Sequence, residues 1–134
     1  MITTEFLGAG KAIFTVSNPQ GERYTYKIRK KPDTPYFASV LYGPDNYTNY
    51  RYLGVYIPNH QGRPELRLTR KSHYSEESRQ ARVFAWAIQV IHGEKELPTG
   101  YSIHHEGKCG RCGRRLTVPS SIESGFGPEC IKMK

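Results

Sequence analysis

Apolar and polar residues alternate in several short stretches of the first seventy positions, which is typical of strands with one buried face. These stretches are residues 12–18, 23–30, 36–42, 50–57 and 65–70. In the second of them, Lys27 and Arg29 would share one face and Tyr26 would lie on the other. Clusters of Pro, Gly, Asp and Asn separate the stretches, as at residues 43–46. We therefore expect five strands joined by turns.

The stretch 50–57 mixes aromatic and aliphatic residues. Strict alternation gives it an aliphatic face and a tyrosine face: Leu53, Val55 and Ile57 against Tyr50, Tyr52 and Tyr56. Exposed tyrosines beside basic residues could stack on the bases of single-stranded nucleic acid. Alternatively, the tyrosines are ordinary β-formers and one face of the sheet packs on a helix.

The period of the apolar residues changes after residue 75. Ala81, Phe84, Ile88 and Ile91 recur at helical spacing, and Ser75 with the two acids after it is a helix start. A helix is therefore predicted from about residue 76 to residue 92. A short strand at 101–103 could follow a linker at 94–100. His92 is expected to interact with the carbonyl groups at the helix end.

Three cysteines near the end of the chain have the spacing of a metal site. Cys109 and Cys112 form a C-x2-C pair, and Cys130 follows a turn-forming Gly-Phe-Gly-Pro run. Two intervening residues let the backbone fold around one ion, and an odd cysteine count argues against a disulfide framework. We expect structural zinc, with Cys109, Cys112 and Cys130 as ligands.

A tetrahedral zinc site needs a fourth ligand. His105 and His104 both precede Cys109 closely enough to supply it, and the compact loop 106–108 favours His105. Three free thiols and a redox C-x2-C are the alternatives, although no βαβ context surrounds the pair. Catalytic zinc is disfavoured because the site has candidates to close its coordination shell.

The stretch from His105 to Cys130 resembles a zinc-knuckle-like family found in bacteriophage and actinobacterial proteins. The shared pattern is C-G-x-C-G-R-x-L-T-x-P-x-S-I-x-x-G-x-G-P-x-C, matched here at Cys109, Cys112, Gly113, Arg114, Leu116, Thr117, Pro119, Ser121, Ile122, Gly125, Gly127, Pro128 and Cys130. The resemblance implies metal binding and a phage or mobile-element origin. It implies no activity, because the family has no established one.

These elements predict an α+β fold. We expect a curved antiparallel sheet of about five strands with one packed helix, followed by a C-terminal zinc-knuckle-like module. The division is a sheet-and-helix domain at 1–99 and a zinc-binding module at 100–134.

The formal net charge of +8 favours contact with a polyanion, most commonly nucleic acid. Residues 23–71 carry ten Lys or Arg against three acids. The candidate nucleic-acid or partner-binding residues lie on the strands and beside the zinc turn: Lys27, Arg29, Arg51, Tyr52, Arg111, Arg114 and Arg115. A solvated basic surface is the plainer interpretation of the three arginines by the zinc turn.

No P-loop, nucleophile elbow, H-E-x-x-H or deaminase signature is present, so we expect no enzymatic activity. We also expect neither a membrane nor a small-molecule substrate as partner. The start of the sequence lacks a signal peptide, which favours the cytoplasm, that of the host cell if the protein is phage-encoded. Two functions remain: binding of nucleic acid or a nucleoprotein complex, and antagonism of a host defence or transcription protein.

Overall fold

A computed structural model describes residues 2–44, 48–116 and 119–133. Six antiparallel strands form one sheet in the order β5-β4-β3-β2-β1-β6. The strands are β1 (Lys11–Ser17), β2 (Arg23–Arg29), β3 (Tyr36–Leu41), β4 (Tyr50–His60), β5 (Arg63–Arg67) and β6 (Ser102–His105). The helices are α1 (Thr4–Leu7), α2 (Arg79–Ile91), α3 (Pro119–Ser124) and a 3-10 turn (Cys130–Met133). The predicted α+β class, with a curved antiparallel sheet and one long helix, is confirmed.

The core lies between the sheet and α2. Alternation along β1 and β2 places Phe14 opposite Tyr26, and both side chains are buried. The Phe84 ring of α2 meets the Tyr26 ring edge-on at 5.1 Å between centroids. The Tyr26 hydroxyl donates to the Gln80 carbonyl at 2.8 Å, so this buried tyrosine has a partner for its polar atom.

The expected division of β4 into two faces is wrong at its centre. The register shifts so that Ala38 pairs with Gly54 while Ser39 pairs with Tyr52, which inserts Leu53 as an extra residue. Such a β-bulge changes the face on which the following side chains lie. Leu53 and Tyr56 are consequently both buried in the core.

Helix α2 begins three residues later than predicted. Ser78, and not Ser75, is the N-cap, and its hydroxyl accepts from the Ala81 N–H at 3.2 Å. Ser75 instead closes a separate turn through its carbonyl. The first turn of α2 therefore contains no acid. At the other end, the His92 ring bonds the Tyr56 hydroxyl at 2.6 Å, and not the helix carbonyls as expected.

Strand β6 places the start of the C-terminal segment inside the sheet, where it pairs with β1 through Phe14↔His105 and Val16↔Ile103. The division at residues 99 and 100 stays a prediction. The structure adds that the segment after it supplies one edge of the sheet.

No helix within residues 2–44, 48–116 and 119–133 is long and apolar enough to cross a membrane. Of the turn predicted at 43–46, Asp45 and Asn46 lie outside the described residues.

Candidate functional site

The three cysteines come together in one cluster. The sulfur atoms of Cys109, Cys112 and Cys130 all lie within 4.8 Å of one another. Zn–S bonds of about 2.3 Å in a tetrahedron would place the sulfurs roughly 3.8 Å apart, so the cluster has the size of a metal site. Cys109 and Cys130 are buried, and Cys112 is half-buried. The cluster could hold a metal ion.

A tight turn holds the first two cysteines. The Gly113 N–H donates to the Cys109 carbonyl at 2.9 Å, and the Cys109 N–H donates to the Arg114 carbonyl at 2.8 Å. Gly113 has φ +80, a conformation that favours glycine. The Arg111 N–H points to the Cys109 sulfur at 3.4 Å. These bonds explain why the C-x2-C-G sequence forms this turn.

The cysteines differ in their electrostatic surroundings. Burial opposes ionisation of Cys109, but the N–H groups of Cys112, Gly127 and Arg111 lower its pKa to about 7. Burial raises the pKa of Cys130, although an N–H of the Arg111 guanidinium donates to its sulfur at 3.8 Å. Backbone donors aimed at sulfur favour the thiolate, the form that binds metal.

Residues 106–116, here called the cysteine loop, and the segment that follows them contact the rest of the fold at Lys11 and at Phe6. The Lys11 N–H at the start of β1 donates to the Gly110 carbonyl at 2.9 Å. The Phe6 ring of α1 packs edge-on against the Phe126 ring at 6.0 Å between centroids. A Cβ atom added to Gly110 would lie 2.7 Å from the Phe6 ring, so glycine is required where loop and ring meet.

The two histidines lie on opposite faces of β6. His105 accepts from the Gly107 N–H through Nδ1 at 2.9 Å, and its Nε2 bonds the Ile122 carbonyl. His104 lies on the other face, with Nε2 3.9 Å from a Glu106 carboxylate oxygen. Among the described residues, no fourth His, Cys, Asp or Glu joins the three sulfurs. His105 as the fourth ligand stays a prediction.

Several of the candidate binding residues share the sheet face opposite α2. Lys27 pairs with Ser39, and Ser39 pairs with Tyr52, so the three lie in one row across β2, β3 and β4. The Lys27 ammonium lies 4.0 Å from the centre of the Tyr50 ring. Arg29 follows on the same face. Burial, and then repulsion by Arg29 and Lys108, lower the pKa of Lys27.

The structure places the other candidates elsewhere. Arg51 pairs with the buried Val40, so it lies on the opposite sheet face, over the Tyr42 ring at 4.1 Å. Arg111, Arg114 and Arg115 are exposed on the cysteine loop. Thr117, which the resemblance includes, lies outside the described residues.

The sheet face opposite α2, which carries Lys27 and Arg29, is called the basic face below. Sequence reasoning missed one aromatic residue of this face. Phe37 is 40% exposed, pairs with Arg29 and contacts the Tyr52 ring at 6.0 Å. Its position in the alternating stretch 36–42, two residues before Ser39, was the signal that could have found it. Tyr26 and Tyr56, by contrast, are core residues, so the aromatic surface is smaller than the tyrosine pattern suggested.

Comparisons with known proteins bear on the same segment. No curated protein and no solved structure matches the chain. Residues 103–132 match the model of a family described as a family of unknown function, DUF6011. The match contains all three cysteines, together with His104 and His105. Over less than a quarter of its length, the chain is thus similar to a family without an assigned activity.

Proposed function

We propose that this protein is a non-enzymatic, zinc-stabilised basic protein that binds nucleic acid or a nucleoprotein complex. One observation carries the proposal: cations and aromatic rings share the sheet face opposite α2. Lys27 and Tyr52 lie in one row of that face, and Arg29 and Phe37 lie in the next. Aromatic platforms beside basic side chains on a sheet are a common way of binding single strands.

The electrostatics of this face support a polyanionic ligand. Arg29 and Lys108 both lie close enough to Lys27 to repel its charge, and an anion bound on this face would reduce that repulsion. Glu106, an acid on the same side, accepts from the Thr15 hydroxyl at 2.9 Å. A phosphate backbone would reduce the repulsion among the cations, and bases would stack on the aromatic rings.

The proposed metal is zinc, and its role is structural. Three cysteine sulfurs, one of them facing backbone N–H groups, suit zinc better than the oxygen-seeking cations. Purified protein should carry about one zinc per chain. Cys109→Ser, Cys112→Ser or Cys130→Ser should each abolish that content. Metal analysis of protein prepared without chelator under reducing conditions measures this, and absence of zinc would contradict the assignment.

Salt dependence tests the nucleic-acid interface. Binding to a mixed single-stranded oligonucleotide should weaken steeply with salt, and Lys27→Gln or Arg29→Gln should each reduce the log–log slope by about 0.7. Arg63→Gln is the matched control, because Arg63 pairs with Glu94 near the end of α2. Equal slopes for all three variants would exclude this face as the phosphate contact.

The exposed Phe37 beside Tyr52 also favours a second candidate, a protein antagonist of a host defence or transcription component. The resemblance to phage proteins supports this second function and a phage-encoded origin. We propose both of these, together with a location in the cytoplasm. Affinity capture from host lysate with and without nuclease separates the two candidates. Partners that survive nuclease favour the antagonist, and partners lost with nuclease favour nucleic acid.

A further inference from the structure

A cleft on the α2 side of the sheet is separate from the metal cluster and from the basic face. It has a volume of about 540 Å³, within the range of small-molecule sites. One wall is α2, a second is the β1–β2 turn region, and a third is the segment 95–101. The sequence predicted a linker at 94–100 and the start of a short strand at Tyr101. The lining residues used below are Tyr24, Arg79, Arg82, Trp86, Lys95 and Tyr101.

Aromatic rings line one part of the cleft. The Trp86 and Tyr101 rings lie 5.6 Å apart between centroids and are tilted by 57°, so they do not stack on each other. Tyr101 is 38% exposed, and Trp86 and Tyr24 are half-buried. Partly exposed aromatic rings in a concave site offer surface for a planar ligand.

Three cations, Arg79, Arg82 and Lys95, and one acid, Glu22, also line the cleft. Arg79 and Arg82 lie in the first turn of α2, and Arg82 is about one helical turn from Trp86 along the same side of the helix. Arg79 pairs with Glu22 at 3.4 Å. Arg82 and Lys95 make no ion pair within the described residues.

The position of these arginines on α2 is unfavourable for the helix alone. A helix N-terminus carries a partial positive charge and is stabilised by acids, yet this first turn contains two arginines and no acid. A local arrangement that opposes helix stability, and that faces a cleft, is expected where a ligand compensates for it. The side-chain charges of these arginines would attract an anion to the cleft.

We propose that this cleft binds a nucleoside 5′-phosphate, with the base on Trp86 and Tyr101 and the phosphate between Arg82 and Lys95. The ligand is either a free nucleotide or the phosphorylated 5′ terminus of a strand. Arg82 and Lys95, which form no ion pair in the part of the chain that the structure describes, match the double charge of a terminal phosphate, and arginine binds phosphate through paired N–H groups. The base contributes the flat apolar surface that the rings accept. The cleft and the basic face lie on opposite sides of the sheet, so either can fail without the other.

Trp86 makes the test specific, because it is the only tryptophan of the chain. Titration of the zinc-containing full chain with AMP, GMP, CMP and UMP should quench its fluorescence. Adenosine and guanosine, which lack the phosphate, should bind with an affinity at least about tenfold lower in the same fluorescence titration. Arg82→Gln and Lys95→Gln should weaken nucleotide binding by about the same factor, with circular dichroism showing an intact fold. Arg63→Gln, on edge strand β5 and outside the lining of the cleft, should bind as the unmodified protein does.

A second pair of probes distinguishes the sources of the ligand. The first probe is a short oligonucleotide with a 5′-phosphate. If it binds more tightly than its 5′-hydroxyl form and more tightly than the free nucleotides, the cleft binds strand ends. Equal or tighter binding of a free nucleotide assigns it to the free ligand. The proposal is overturned if no nucleotide quenches Trp86, if nucleosides quench as well as nucleotides, or if an acidic aromatic peptide alone binds.

Discussion

The ring of Phe6 lies directly against the backbone of Gly125, where an added Cβ atom would be 2.7 Å from Phe6 Cδ1. Gly125 also has φ +80, so both space and backbone conformation require glycine there. Helix α1 thus positions the cysteine loop although it contributes no metal ligand. Phe6 is 1% exposed and belongs to the same buried cluster as Cys109 and Cys130.

Gly125→Ala should destabilise the protein more than Gly107→Ala. Gly107 has φ +77 but nothing within 4 Å of an added Cβ, so it isolates the backbone cost, about 1 kcal/mol. At Gly125 the clash with the Phe6 ring should add roughly 1–3 kcal/mol. Urea unfolding of the zinc-bound proteins measures the difference.

Phe6→Leu supplies the double-mutant control. In the Gly125→Ala background the smaller side chain should recover part of the added cost, which would show that the ring is its source. Equal destabilisation by the two glycine variants would contradict the close approach of Phe6.

Metal removal should loosen the cysteine loop more than the central strands. The Lys11 N–H depends on the Gly110 carbonyl of the loop, whereas the Tyr26 amide lies on β2 between two strands. Hydrogen exchange after chelation should therefore accelerate at Lys11 and at 106–116 while Tyr26 stays protected. Loss of protection at all these amides together would show that the metal loop and sheet unfold as one unit.

His105→Ala should weaken zinc binding more than His104→Ala. His105 bonds Gly107 and Ile122 next to the cysteine loop, whereas His104 lies on the opposite face near Glu106. Competition with a chelator measures the affinity, and the visible spectrum of the cobalt-substituted protein reports whether a nitrogen ligand is lost. A larger effect of His104→Ala would contradict the choice of histidine.

Stability should fall in mild acid because of His92. Burial lowers its pKa below the usual 6.5, an effect that Glu94 partly opposes. As the pH falls, the unfolded chain therefore binds the proton before the folded protein does. The contribution of His92 to the free energy of unfolding is fully present above pH 6.5 and is lost as the pH drops through the pKa of His92 in the folded protein. Urea midpoints at about pH 8 and about pH 5.5 should differ more for the unmodified protein than for His92→Gln. Comparing the two proteins removes the contribution of metal release, and identical pH dependence would contradict the prediction.

Local patterns predicted the elements well. Alternation located the first five strands because each has one buried face, and the 3.6-residue period located α2. The cysteine cluster was also predictable, since Cys109 and Cys112 are separated by only two residues in the sequence. Helix α1 has four residues, which is too short to show a period, and Phe6 therefore went unnoticed.

Long-range relationships were not encoded in such patterns. The bulge at Leu53 depends on how β4 pairs with β3, and alternation alone could not reveal an inserted residue. Ser75 and Ser78 both have cap chemistry, and only the structure shows that Ser78 accepts from the Ala81 N–H. The cleft around Trp86 joins the β1–β2 turn to the segment after α2, so no single stretch of sequence contains it.

The pairing of β1 with β6 has a kinetic consequence. The Thr15 hydroxyl bonds Glu106, 91 residues further along the chain. At ribosomal rates of synthesis this separation corresponds to a delay of roughly 5–20 s. During that interval β1 has a partner only on its β2 side, and its other edge is open to strands of neighbouring nascent chains. The cysteine cluster is completed later still, because Cys130 emerges after β6. Co-translational folding should therefore be most vulnerable to aggregation between the completion of the β1–β2 hairpin and the arrival of β6.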